Sequence, residues 1–184
     1  MTTTSSESRG SRPPAGRDEL LIYLDFDGVA HHHEVWWHPR RGAYIKADPS
    51  FVLFQHTALL VDVLVPYPSV RIVLSTSWVR HYSYSKAVRR LPDALRKRVV
   101  GATYHREMNA SSFDAKPRGI QVLEDVQRRQ PRDWLAIDDD DEGWPDCCRS
   151  KLVRSHAEMG ISDPDVLREL REKLAAMHTG AGAG

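Results

Sequence analysis

Leu20-Leu-Ile-Tyr-Leu-Asp-Phe-Asp-Gly-Val29 is the stretch from which the fold can be read. Five apolar residues, Leu20 to Leu24, run straight into Asp25, and Asp27 and Gly28 follow. A short apolar run closed by turn residues reads as a strand buried on both faces, as in a parallel sheet. Asp25 then stands at the carboxyl edge of the strand, where open α/β sheets bind ligands. Gly28 lets the chain turn away sharply. Two carboxylates one residue apart can share one metal ion, or divide nucleophile and acid/base roles between them. A solvated strand-to-loop turn has the same local appearance, so the decision falls on what lies downstream.

Working outward, the spacing predicts a helix from Pro49 that carries Val52, His56, Leu59, Leu60, Val63 and Leu64 and ends at Pro66 and Pro68. Val70-Arg-Ile-Val-Leu74 reads as a second buried strand, ending at Ser75-Thr-Ser-Trp78. Helices are expected near Trp78 and over residues 92–98, and a short strand from Val99 that stops near Gly101. Residues 104–115 read as a loop. Lys116-Pro-Arg-Gly opens a helix with Pro117 in its first turn and Ile120, Leu123 and Val126 inside. Trp134-Leu-Ala-Ile137 is a third clear strand, ending in Asp138-Asp-Asp-Asp-Glu142, and Leu152-Val153 adds a short edge strand. Ser162 and Asp163 start a closing helix that faces Val166, Leu167, Leu170, Leu174 and Met177 inward. Strands alternating with helices imply an α/β fold with a parallel, right-handed sheet.

Composition bounds the classes. The 184 residues make one domain. Lys plus Arg number 26 against 25 Asp plus Glu, so no overall basic excess advertises nucleic acid. The cysteines Cys147 and Cys148 are adjacent, which excludes an ordinary structural disulfide between them and fits a reducing, cytoplasmic setting. No apolar run approaches a membrane span. Residues 1–17 are expected to be a disordered leader, 18–178 the domain and 179–184 a flexible tail.

Three buried strands therefore end in polar groups of particular kinds: Asp25 and Asp27, Ser75 and Thr76, Asp138 and Asp139. Lys116 opens the helix before the third strand. A phosphate monoester is dianionic, so a carboxylate approaches it only when a cation offsets the repulsion. Mg²⁺ suits an oxygen-only site of one or two carboxylates, waters and the substrate phosphate. A hydroxyl and an ammonium can bind the remaining phosphate oxygens. A second acid can protonate the leaving alcohol and then deprotonate the attacking water, and carboxylates can accept phosphoryl groups.

Taken in order, DFDGV, the LSTSW strand end, KP opening a helix and AIDDDD resemble the four motifs of the haloacid dehalogenase (HAD) superfamily of phosphohydrolases. More narrowly, LDFDGV, IVLSTSW and the late DD are similar to the small HAD domain of bacterial Swiss Army Knife RNA repair proteins. The resemblance implies a three-layer, Rossmann-like parallel sheet with helices on both faces and a minimal or absent cap. It implies Asp25 as a nucleophile that forms an aspartyl-phosphate, and Asp27 as the acid/base with its backbone carbonyl on the metal. Thr76, with Ser75 as the alternative hydroxyl, would bind the phosphate. Lys116 would balance the charge on the phosphoryl group and Asp25, and Asp138 and Asp139 would hold Mg²⁺ with Asp25. The four consecutive aspartates leave that last register open by one residue, with Asp140 or Glu142 as further candidates. Members that cleave carbon–halogen bonds lack the second aspartate, so Asp27 points to phosphoryl transfer.

Several features have plainer readings. Asp138 to Asp141 can be a solvated acidic turn, Lys116 and Arg118 surface charges, and Ser75 and Thr76 a helix cap. His31, His32, His33 and His38 lack the spacing of a zinc site and read as part of a loop or short flap over the strand end. Trp36, Trp37 and Trp78 suit core packing or cover, with base stacking as the alternative. Arg80, His81, Lys86, Arg89 and Arg90 read as a solvated face or a phosphate-backbone track. The interval from Gly28 to Pro49 is too short for an independent cap domain. Within the superfamily that implies an open site and a large phosphorylated substrate, such as a protein or a polynucleotide end. The competing expectations are a small-metabolite phosphatase and a non-catalytic domain that binds a phosphorylated ligand or protein.

Overall fold

β1 (Leu20–Leu24) is buried along its whole length because strands flank it on both sides and helices cover both faces. It pairs in parallel with β4 (Val70–Leu74), Leu24 opposite Leu74, and with β6 (Asp133–Asp138), Leu24 opposite Ile137. β5 (Val99–Ala102) and β7 (Leu152–Arg154) extend the sheet at its two edges, also in parallel. The order is β5-β4-β1-β6-β7. The computed structural model describes residues 14–180; of the expected leader and tail, residues 1–13 and 181–184 lie outside the described residues.

Alternation along β1 sorts its side chains into two cores. Leu20, Ile22 and Leu24 face α1 (Thr57–Leu64), the closing helix α7 (Pro164–Thr179) and the helices after β4. Leu21 and Tyr23 face α6 (Arg118–Arg129), with Val122 from the helix and Trp134 from β6. Truncating Ile22 or Leu24 to Ala would cost about 2–5 kcal/mol, since neither site can collapse between paired strands. α7 starts where its Asp163 side chain accepts from the N–H groups of Asp165 and Val166 at 2.9 and 3.1 Å. Such a cap contributes about 1 kcal/mol.

Between β1 and α1 the expected irregular stretch is a hairpin, β2 (Val35–His38) paired antiparallel with β3 (Gly42–Ile45). This hairpin is all the regular structure between β1 and α1. Alternation puts Trp36 and Tyr44 on one face and Trp37 and Ala43 on the other. Trp37 packs on Tyr82, ring centroids 3.9 Å apart, and the Tyr82 hydroxyl accepts from the Ala43 N–H at 2.8 Å. The hairpin is thereby fastened to α2 (Trp78–Tyr82). Other expectations shift at their edges. The helix expected from Pro49 begins only at Thr57, because Phe54 takes a left-handed φ of 63° and Val52 is exposed. Helix after Trp78 breaks at Ser83 into α2 and α3 (Tyr84–Val88), and α4 (Asp93–Arg96) follows. Residues 104–115, read as loop, contain α5 (Ala110–Asp114), capped by the Asn109 side chain on the Ser112 N–H.

Candidate active site

Parallel pairing continues one residue beyond each strand, and this assembles the rim. The Asp25 N–H donates to Ile137 O at 3.1 Å, the Ser75 N–H to Leu24 O at 2.9 Å, and the Ser155 N–H to Asp138 O at 2.9 Å. Asp25, Ser75 and Asp138 therefore leave the sheet side by side at its carboxyl edge. The loop after β1 closes on them: Gly28, at φ 66°, passes so near Asp139 that a Cβ there would overlap its carboxylate. The Ser155 hydroxyl donates to Gly28 O at 2.6 Å and holds that loop in place.

Asp25, Asp138 and Asp139 each present a carboxylate oxygen, all within 4.8 Å of one another. Asp25 and Asp138 are buried and Asp139 is half-buried. One guanidinium faces them: Arg118 Nε lies 3.2 Å from Asp138 Oδ2, and an Nη 3.7 Å from Asp25 Oδ2. Three carboxylates against one cation leave the cluster short of positive charge. Burial pushes the Asp25 carboxyl up to about 7 against the pull of Arg118, and Asp27 and Asp139 add to the rise. Asp138 and Asp139 are raised for the same first reason, loss of solvent. Asp25 Oδ1 is buried with no hydrogen-bond partner. An oxygen-only set with an orphaned carboxylate oxygen fits Mg²⁺. Further along the acidic run, Asp140 and Glu142 are exposed and Asp141 pairs with Arg154 at 3.1 Å. They stand apart from the three-carboxylate group.

Asp27 sits differently. Its Oδ1 accepts from Trp78 Nε1 at 2.8 Å and meets His31 Nε2 at 3.1 Å, while Oδ2 has only the Ser77 hydroxyl at 3.5 Å. The indole N–H can only donate, so Oδ1 is an acceptor, and the His31 tautomer with its proton on Nε2 donates to the same oxygen. Trp78 and His31 are fully buried, ringed by Phe26 and Phe54. Asp27 is partly exposed and pinned through one oxygen; it is not one of the three grouped carboxylates, yet its charge helps to raise both Asp25 and Asp139.

The two hydroxyls after β4 are both buried. Ser75 Oγ has no partner, whereas Thr76 Oγ1 accepts from the Trp78 N–H at 3.4 Å and keeps its own proton to donate. Lys116, expected to balance the charge on the phosphoryl group and Asp25, is paired with Glu124 in this structure. Its ammonium contacts both carboxylate oxygens of Glu124 at 2.7 and 2.6 Å. Pro117 is the N-cap of α6 rather than part of its first turn, so Lys116 falls outside the helix and Arg118 is its first residue. Arg118 is the cation that reaches Asp25. Its place is fixed by the next residue, because Gly119 abuts the acidic loop and a Cβ there would come within 2.7 Å of Gly143 O. The Gly119 N–H also donates to Glu142 O at 3.2 Å.

The histidine run scatters. His31 holds Asp27, His32 accepts from the Glu34 N–H, His38 from Arg40 and Arg41, and His33 meets Ala157 O. Among the described residues the three aspartates are the only group set to hold a metal. Behind them Trp144 donates through Nε1 to Asp140 O at 3.2 Å and stacks on Trp134, bracing the acidic loop from the α6 side.

Comparison with known proteins adds to this geometry. No curated protein and no solved structure matches the chain. The family model described as "HAD domain in Swiss Army Knife RNA repair proteins" matches residues 21–166, from β1 to the start of α7. That span contains the aspartate cluster, Asp27 and its indole partner, and Arg118. The chain belongs to this family of HAD domains.

Proposed function

We propose that the protein is a Mg²⁺-dependent phosphomonoesterase that works through an aspartyl-phosphate on Asp25. The observation that carries the reading is the division of labour at the rim: Asp25 is in the three-carboxylate group, and Asp27 is held outside it by Trp78 and His31. Asp25, Asp138 and Asp139 would hold the ion. A bound divalent cation supplies positive charge that offsets the repulsion between a dianionic phosphate and the carboxylates.

The chain's own groups account for the remainder. An Asp25 carboxylate oxygen attacks phosphorus, the bond from phosphorus to the ester oxygen breaks, and Asp27 gives its proton to the departing alkoxide. Water then attacks the aspartyl-phosphate while Asp27 takes a proton from it, returning Asp25 and releasing inorganic phosphate. With Oδ1 of Asp27 occupied, Oδ2 is the oxygen that carries the proton. Arg118 and the hydroxyls of Thr76 and Ser75 meet the growing charge on the phosphoryl oxygens. With only a hairpin between β1 and α1, the site takes a phosphate at the end of a large molecule, and a polynucleotide end is the proposed substrate.

Hydrolysis of an aryl phosphate with Mg²⁺, for wild type and Asp25→Asn, tests the core of this. Turnover by the wild type and none by the variant is expected. Equal activity of the two would remove Asp25 as nucleophile, and no turnover by either would leave a phosphate-binding domain without catalysis.

A further inference from the structure

We propose that the cleft beside the β5 edge of the sheet binds an unpaired nucleic-acid strand and leads its terminal phosphate to Asp25. This deepens the phosphatase reading and rests on it for the destination of the strand. The cleft measures about 830 Å³, within the roughly 300–1,000 Å³ of sites that enclose organic ligands. Four arginines and two histidines line it and no carboxylate does, so its field favours a polyanion. The positive surface continues outside it: a shallower hollow is lined by Tyr82, Lys86, Arg89 and Arg90, and no acidic residue occurs from Val79 to Leu91.

The cations are not equivalent. Arg80 is held by Asp114 through two hydrogen bonds of 3.0 Å and lies over the Tyr104 ring at 4.4 Å. Arg128 and Arg129 are engaged by Asp125. Arg106 is exposed and, among the described residues, has no carboxylate partner, so it is free to meet a phosphate. Tyr84 is 40 % exposed, and no other ring among the described residues packs on it. An open aromatic face in a cleft that also offers an unpaired guanidinium is an arrangement that stacks bases and tracks a sugar-phosphate backbone. An acidic peptide would use the charges and leave the tyrosine without a role.

Helix α2 runs from the carboxylate rim to the cleft. Trp78, the first residue of that helix, holds Asp27, and Arg80 and Tyr82 of the same helix line the cleft. On the other wall the Thr103 N–H donates to Leu74 O at 2.9 Å, so Tyr104 leaves the sheet at the same rim as Ser75.

The test is fluorescence anisotropy of the full chain with a labelled oligouridylate of about a dozen residues, hydroxylated at both ends so that it is no substrate, alongside aryl phosphate turnover. The expected result is salt-dependent binding that Tyr84→Ala weakens by roughly tenfold or more. Arg106→Ala should lower the slope of log affinity against log salt by about 1. Both side chains are exposed, and both variants should turn over the aryl phosphate as wild type does. Binding that neither variant alters, no binding at low salt, or equal displacement by polyglutamate overturns the cleft assignment. Oligonucleotide binding without aryl phosphate turnover sinks the phosphatase reading alone; turnover without oligonucleotide binding sinks the cleft alone.

Discussion

Trp78 Nε1 donates to Asp27 Oδ1 at 2.8 Å, and because the indole is fully buried no water can take its place. The hydrogen bond fixes the rotamer of the residue assigned to move the proton, so its loss should appear in the step where that proton is needed. Trp78→Phe keeps an aromatic ring and removes the donor. On an alkyl phosphate, whose leaving group needs protonation, kcat should fall roughly tenfold or more, the worth of one hydrogen bond to a charged group. On a nitrophenyl phosphate the loss should be small. Equal losses on both esters would mean that Trp78 only packs.

Arg118 and Lys116 are separable by substitution. Arg118→Met strips the buried Asp25–Asp138 pair of its guanidinium, and kcat should drop by about a hundredfold or more, as for other preorganised charge stabilisers. Lys116→Met breaks a half-exposed pair with Glu124, and both activity and stability should change little. Steady-state kinetics on an aryl phosphate decide it. The reverse ranking would return Lys116 to the phosphoryl group.

Stability should depend on pH in a way that Mg²⁺ reverses. The folded-state values of Asp25, Asp138 and Asp139 are raised, Asp25 to about 7. Between the ordinary carboxylate range and about 7 the folded protein therefore binds more protons than the unfolded chain. The contribution of these groups is fully present below their unfolded values and is lost as pH rises through the folded ones. A divalent cation replaces the lost protons. The rise in Tm on adding MgCl₂ should be larger at about pH 8 than at about pH 5. A shift of equal size at both would show that the ion binds away from the cluster.

Gly28 is the residue on which the loop after β1 depends. A methyl group there meets the Asp139 carboxylate and also opposes a φ of 66°. Gly28→Ala should lose the Mg²⁺-dependent rise in Tm and most turnover, while the fold persists in circular dichroism. An unchanged response to Mg²⁺ would remove Asp139 from the ion.

What the sequence made legible was the set of strand ends. Apolar runs such as Leu20 to Leu24, stopping dead at Asp25, can only be central strands, and the polar residue after each run then lands on one rim. Choosing between cations two positions apart was beyond such patterns. Whether Lys116 or Arg118 reaches Asp25 depends on Pro117 acting as N-cap, and on Gly119 docking against the acidic loop. The segment before α1 looked helical because Val52 and His56 have helical spacing, yet Val52 is exposed and Phe54 turns left-handed. The role of Trp78 had a signal: a tryptophan four residues past a strand end, opening the next helix, can offer its N–H to a carboxylate at the same rim. The cleft was legible only in its basic run from Arg80 to Arg90, because its other walls come from β5, α6 and the residues after β5, far apart in the chain.

Four of the five tryptophans of the chain lie in two aromatic groups, and the fifth, Trp36, is exposed on the outer face of the hairpin. Trp37 and Trp78 occupy the hairpin and its anchor, and Trp134 and Trp144 stack beneath the acidic loop. The protein thus carries its own optical probe on two flanks of the rim. Emission from the first group reports the environment of the proposed proton donor, and emission from the second reports the segment that would grip an ion. Titrations of metal and of phosphorylated ligand can be followed by intrinsic fluorescence without attaching a dye.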